Sequence, residues 1–552
     1  DTFVATLNAA TAFSVTSMTD ADGEHDPVIT IDNGIVTVTG AVAGIAATAT
    51  DVLKFDIKND GGMAIGGNVT VATNKTVTME IENGGTLEFN GTSAQAIAGA
   101  IASDGNNAGA VTLSGAGKKT FAAAVGGGGT GELGTLAVSA TTEAEFNGTL
   151  DAIAITVAST GTLQIDGASN ADTITNSGTL KVNNTLDDIA ANGLTSIVMH
   201  TTGSVLSFNH GSTLDHDIVV TATTDGFGTI NVIDSAGGAP AAQVLSGGDI
   251  GTTAKRIGTL NVGSSTAAGA LTTIDGDAIF VDALNVVGGD ATSEDSIIIA
   301  VENMTATDGI TLTAASTGDA ELNFATTAST VTGTVDSGSG TDGAGTTLID
   351  ADIGVVFANN VGATTAIESM TIANSVQVDL DGATNAIESI VMTGGSTLEF
   401  DAAADQTYTG AITFAADDDG TIINANTDGE LTITGAIGTA TVAATEITLN
   451  DGANTNFNSA VFALTLDIDT NGETTVFETA GNEIGDTGGN GGGLEIVGGA
   501  VIELGTAIGH LSTVFNTETA ATGVGGVVID GDITIKPSAN FTSGTITLID
   551  GD

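Results

Sequence analysis

Four carboxylates alternate in one short loop: Asp20, Asp22, Glu24 and Asp26 lie in the stretch Asp20-Ala21-Asp22-Gly23-Glu24-His25-Asp26. A hard cation such as calcium takes six to eight oxygen ligands, and alternation around a Gly lets several carboxylates turn toward one point. These four residues are the candidate calcium ligands. Their pattern is not that of an EF-hand, which needs a Glu at the far end of a 12-residue loop, and the chain has no Gly-Gly-x-Gly-x-Asp nonapeptide array. A solvated acidic turn explains the same residues without any ion. The run Asp417-Asp418-Asp419 and the turns Asp275-Gly276-Asp277 and Asp530-Gly531-Asp532 offer fewer carboxylates each and rank below it.

His200, His210 and His216 are three of only five histidines. Stacked layers could bring them together around zinc or nickel with Asp215 or Asp217, but their spacing fits no ligand pattern, and scattered surface histidines are the plainer account. Hydrolytic chemistry finds little support. Among 67 acidic residues a pair suited to acid and base roles carries no information. Trp is absent, Tyr408 alone joins the Phe residues as a sugar-stacking group, and Arg256 is the sole Arg available to grip an acidic polysaccharide. No nucleophile elbow, zinc-protease helix or P-loop occurs. The sequence therefore predicts no enzyme and no catalytic residues.

Nine Lys plus Arg stand against 67 Asp plus Glu, a formal net charge of −58. Nucleic acid and anionic membrane surfaces are polyanions, so neither is an expected partner. Cations are. Repulsion within the chain is relieved beyond a Debye length of about 8 Å at physiological ionic strength, so a saline or calcium-containing exterior suits it.

The elements that must carry these residues announce themselves through repetition. Gly362-Ala363-Thr364-Thr365-Ala366-Ile367-Glu368-Ser369 returns 20 residues later as Gly382-Ala383-Thr384-Asn385-Ala386-Ile387-Glu388-Ser389. Each copy holds two short alternating runs, in the first Ile367 to Ile372 and Val376 to Leu380, around a turn near Asn374. A unit this small, with strand-length pieces and no helical piece, hides its apolar side only against a neighbouring copy. One coil of a β-solenoid is the expectation. A related phrase recurs elsewhere, as in Gly85-Thr86-Leu87-Glu88-Phe89, Gly161-Thr162-Leu163-Gln164-Ile165, Gly178-Thr179-Leu180-Lys181-Val182 and Gly258-Thr259-Leu260-Asn261-Val262. Its apolar positions at i and i+2 share one strand face, and the flanking Gly, Asn and Asp supply turns. Irregular spacing between phrases fits insertions extruded as loops.

The predicted fold is all-β, a parallel β-helix from 46 to 552 with a small N-terminal β cap or assembly segment over 1 to 45. In that segment Pro27 to Asp32 and Ile35 to Thr39 read as a hairpin turning at Asp32-Asn33-Gly34. Abundant Gly, Ala, Thr and Val with 3% aromatics suits narrow stacked strands, and 41% hydrophobic content argues against disorder. The chain has no Cys, which rules out disulfides and thiolate metal sites. No apolar run is long enough for a transmembrane helix. The chain opens at Asp1 without Met or a basic leader, so the expectation is that a secretion signal, if there was one, has been removed or omitted.

The segment Ile257 to Val262, the passage Ile274 to Gly289 and the ending Gly544 to Asp552 resemble repeat passages in the passenger regions of alphaproteobacterial autotransporters, including rickettsia-type surface antigens. The likeness runs in style over most of 50 to 552. It implies a parallel β-helix exported to the cell surface, where some relatives adhere to hosts and others form a surface layer. The family's C-terminal membrane barrel has no counterpart after Asn540, so the resemblance implies a barrel cleaved or left out, or another export route. The expected function is a secreted structural protein of a bacterial cell surface, self-assembling into a surface layer held partly by calcium. The alternative is an adhesin passenger whose inserted loops contact a host or environmental ligand. Expected partners are other copies of the chain, with a cell-surface polysaccharide or outer-membrane component as anchor.

Overall fold

The computed structural model describes residues 4–8, 12–20, 26–44, 51–73, 75–105, 107–127, 131–187, 196–208, 212–214, 216–221, 225–233, 243–246, 248–263, 271–276, 278–288, 295–314, 319–325, 327–338, 346–417, 419–439, 441–450, 454–468, 474–477, 483–484, 494–497, 501–504, 514–515, 528–530 and 534–537. Within these the protein is all-β: short strands stack in parallel as a β-solenoid, and there is no helix among the described residues. The chain divides into two compact units, Asp1–Leu284 and Asn285–Asp552.

In the first unit the phrases of the Gly-Thr-Leu type are strands, and those after Gly161 and Gly178 lie directly on one another. Glu143–Phe146 pairs with Thr162–Ile165, which pairs with Thr179–Val182, which pairs with Val205–Phe208, all parallel. The 17 residues between Gly161 and Gly178 are thus one coil. Inward positions alternate with outward ones, so Leu163, Ile165, Leu180 and Val182 are fully buried. Aromatic residues stack on the same terms: Phe121 and Phe146 are register partners whose rings lie parallel with centroids 4.4 Å apart.

Corners create a backbone problem that buried polar side chains solve. Lys119 is fully buried, and its ammonium donates to the carbonyls of Gly91 and Gly117 at 2.7 Å and Gly115 at 3.3 Å. Burial pushes its pKa down. Gln95, paired with Lys119 one coil earlier, donates to Ile65 and Gly67 in the same way.

The expected hairpin at Asp32-Asn33-Gly34 is not formed. Val28–Val38 is one strand that bends with a register shift near Asn33 and lies parallel to Asp51–Ile65 along both halves. Gly34, at φ 88°, supplies a bend within a strand where the sequence suggested a reversal between two. Residues before 45 make the same parallel pairings as those after, with Val4–Asn8 on Val28–Val38 and Met18–Asp20 on Val42–Gly44.

In the second unit the duplicated segments occupy adjacent layers. Ile367–Ile372 pairs with Thr384–Met392, and Gln377–Leu380 pairs with Thr397–Phe400. The turn between the two runs holds Ser375 at φ 64°. Tyr408 is fully buried, its hydroxyl donating to the carbonyls of Ile387 at 3.1 Å and Ala411 at 3.3 Å.

Candidate functional site

The candidate calcium loop is only partly described. Asp20 Oδ2 sits 2.7 Å from Lys75 Nζ, with both side chains buried. Asp26 Oδ1 accepts from the Val52 amide at 2.9 Å. Asp22 and Glu24 lie outside the described residues. Asp20 and Asp26 thus each tie the chain to a later coil.

The histidines hold separate partners. His216 is buried with Nε2 2.9 Å from the Ala171 carbonyl, while His200 is exposed with Nδ1 3.2 Å from Thr221 Oγ1; His210 and Asp215 lie outside the described residues. Asp417 and Asp419 accept bonds from the Ala443 and Ala416 amides, and Asp418 is outside the described residues, as are Asp277 and Asp532. Among the described residues no three His, Asp or Glu side chains are arranged to hold a metal ion between them. The groups weighed for sugar recognition are also engaged: Tyr408 is in the core, and Arg256 is held by Asp225 and by Asp282, Nε to Oδ1 at 2.6 Å.

The most distinctive electrostatic feature is a carboxylate quartet on the duplicated coils. Asp379 and Glu399 are register partners pointing outward from adjacent strands. Each strand then runs into its turn through a second acid, Asp381 after Leu380 and Asp401 after Phe400, placed one above the other by backbone bonds to Phe357 and Leu380. The layers on either side are neutral at the strand positions, Val356 preceding Asp379 and Ile423 following Glu399. A single neutral amide serves two of the four: Gln377 Nε2 donates to Asp379 Oδ1 at 2.7 Å and Glu399 Oε2 at 2.8 Å.

Partial burial and mutual repulsion both act on these groups. The Asp381 pKa is pushed up to about 6, first by desolvation and then by Asp401 and Asp379. Desolvation raises Asp379 and Glu399 as well; Asp401 adds to both, and the bond from Gln377 partly offsets the rise at Asp379. Asp350, one strand stack away, is raised by desolvation and by Asp352.

The two units treat their acids differently, for a reason already written in the sequence. After Arg256 the next Lys or Arg is Lys536, so the second unit has one fixed base, at its far end. The first unit instead stacks bases against acids, with Lys54 on Glu80, Lys58 between Asp56 and Glu82, and Lys118 between Glu143 and Glu145. Total charge alone conceals this asymmetry; the positions of the nine bases reveal it.

A second missed signal is a two-residue corner. Val125-Gly126, Ile250-Gly251, Val361-Gly362 and Ile437-Gly438 each place a buried β-branched residue in an isolated parallel bridge, followed by a Gly at φ between 65° and 82°. Three of them open a small antiparallel loop closed at Gly131, Lys255 or Val442. Two letters at irregular intervals are hard to find without the register.

Comparison of the chain with family models, with curated proteins and with solved structures finds no match.

Proposed function

We propose that the protein is a secreted structural component of a bacterial cell surface, assembling with copies of itself into a surface layer in which divalent cations, calcium foremost, link acidic faces. The observation that carries this reading is the quartet of Asp379, Asp381, Glu399 and Asp401 in a unit with almost no bases of its own. Carboxylates stacked at the strand spacing of about 4.8 Å repel one another, and a mobile cation is the partner that relieves them.

Side chains standing outward on a flat ladder offer a cation part of its shell from one side only. Calcium takes six to eight oxygens, so a second surface must complete the set, and a second copy of this chain presents the same carboxylates. Cation binding and attachment between copies would then be one event. The solenoid suits the role because stacking two like coils sets their outward carboxylates in register, Asp379 on Glu399.

Electron microscopy of the native material with and without a chelator tests the proposal. An ordered array that disperses on chelation and returns with calcium is the expected result. Dispersed single molecules in both conditions would overturn it.

A further inference from the structure

One ion pair of the first unit is unlike the others. Lys75 and Asp20 meet inside the solenoid, Nζ 2.7 Å from Oδ2, with side chains 0% and 7% exposed. Asp20 has as its register partner Gly44, a buried position on the next strand, so the carboxylate stands on the inward face. Gly44 in turn pairs with Val71, and Lys75 opens the strand that follows, Lys75–Ile81. The lysine stem lies along the bare face of Gly44, where a Cβ would meet Lys75 Cβ at 3.5 Å and Cγ at 3.9 Å. A larger side chain at 44 would fill the path by which Lys75 passes one layer to reach the carboxylate of the layer beyond.

Three other lysine–carboxylate pairs of this unit stand in water. Lys54 on Glu80, Lys58 on Glu82 and Lys118 on Glu145 have lysine side chains 35–38% exposed. Around Lys75 the setting is apolar: Val77 shares its contact at Gly44, and Val42 and Val69 are fully buried on the neighbouring strands. Burial keeps bulk water from both groups of the pair. In a low-dielectric site, a proton transfer that leaves amine and carboxylic acid, both neutral, costs less than it does in water.

We propose that Lys75 and Asp20 become joined by an intramolecular amide once the chain has folded. The step balances within the pair. The ammonium passes a proton to the carboxylate, the Nζ lone pair attacks Cγ, the Nζ–Cγ bond forms, and a Cγ–oxygen bond breaks as water leaves with a second proton from the amine. No oxidant, reductant or further reactant enters. A carbon–oxygen bond adds at most about 1.2 Å to the 2.7 Å contact, so Cγ is within about 3.9 Å of Nζ, a bound that includes the roughly 3–3.5 Å of a near-attack arrangement. Burial then protects the product by excluding the water that would reverse the step. A freshly folded chain holds the ion pair, and the amide accumulates with age. The two residues are 55 apart in sequence, so in a chain without Cys the bond acts as a disulfide does, by restricting the unfolded ensemble across that span. It depends neither on self-assembly nor on cations.

The test ages the purified full chain, then denatures it, digests it with trypsin and maps the peptides by tandem mass spectrometry. The expected product, in a fraction that rises with time, has lost cleavage after Lys75 and joins the peptide ending at Lys54 to the peptide from Asn59 to Lys118, with an intact mass lower by about 18 Da. Cleavage after Lys58 and Lys118 should persist. Lys75→Arg keeps a cation at the site but offers no amine, and Asp20→Ala removes the carbonyl carbon, so neither should give the linked peptides. The digest of the parent reads the bond itself, so the result stands whether or not these variants fold. Full cleavage after Lys75 at every age, with Asp20 on an unlinked peptide, would overturn the proposal. So would a loss of about 18 Da that maps to cyclised Asp-Gly sequences such as Asp166-Gly167, or a link from Lys75 to any other carboxylate.

Discussion

Ile367 and Ile387 are register partners in adjacent parallel strands, and both side chains are fully buried. They occupy the same place in two copies of one sentence, so a spacing of 20 residues becomes a distance of one layer. Ile390 continues the pattern above Met370, and Met392 above Ile372. Each coil closes the apolar side of the one beneath it.

Removing one of these side chains leaves a cavity that neighbouring layers cannot fill without shifting. Ile387→Ala is expected to destabilise the second unit by about 2–4 kcal/mol, read as an earlier urea transition. Coils are stabilised chiefly by their neighbours, so hydrogen exchange should quicken most in the strands around 367 to 414.

Gly362 is at φ 71°, and a Cβ there would collide with the Ala386 carbonyl. Gly362→Ala is expected to cost more than about 2 kcal/mol, by combining a left-handed backbone with a backbone clash. Gly354→Ala is the control, because its Cβ would meet the Gln377 carbonyl at an ordinary 3.6 Å. Melting temperatures of the two variants check the contrast, with Gly354→Ala within about 0.5 kcal/mol of the parent.

Asp381 gives the protein an unusual acid response. Its folded pKa of about 6 lies above its ordinary 3.8, so ionisation is penalised in the fold. That penalty is fully present above about 6 and vanishes below 3.8, so this group makes the second unit more stable as pH falls between those values. Because the side chain is partly exposed, screening reduces the effect to about 1 kcal/mol. Thermal melts at pH 7 and pH 5 should show the rise, and Asp381→Asn should lift stability at pH 7 while flattening the difference between the two.

Lys75 and Asp20 form a buried pair, and breaking one side should expose the cost of the other. Asp20→Ala deprives the Lys75 ammonium of a carboxylate 2.7 Å away and is expected to destabilise the first coils by about 1–3 kcal/mol. Replacing both, as Asp20→Leu with Lys75→Met, should recover most of that loss. Limited proteolysis near the N-terminal strands and chemical denaturation of the pair of variants report the difference.

The strands were legible because their chemistry is local. Thr162 to Ile165 and Thr397 to Phe400 alternate apolar and polar residues between turn formers, and both are strands as written. Bends within strands were harder to see, because Asn33-Gly34 serves a kink and a hairpin with the same residues. The corner glycines, Gly126, Gly251, Gly362 and Gly438, were missed because what requires them is a close approach to the next layer or to their own loop. The quartet was half visible: the match of Asp379 with Glu399 and of Asp381 with Asp401 is in the duplication, but their mutual repulsion appears only once the copies are stacked. The calcium loop looked strongest in sequence, yet Asp20 takes its place as the partner of a lysine 55 residues away.

The layered arrangement itself is open to a direct measurement, since the chain has no Cys to interfere. Thr371 and Val391 are outward register partners in adjacent layers, and Thr413 lies one layer beyond Val391. Adjacent parallel strands put Cα atoms about 4.8 Å apart, inside the disulfide range of about 4.4–6.8 Å, whereas two layers span about 9.6 Å. Mild oxidation of Thr371→Cys/Val391→Cys should form an intramolecular disulfide, seen by intact mass and by non-reducing electrophoresis, while Thr371→Cys/Thr413→Cys should stay reduced. Equal oxidation of the two, or none in the first, would contradict the stacking of the duplicated coils.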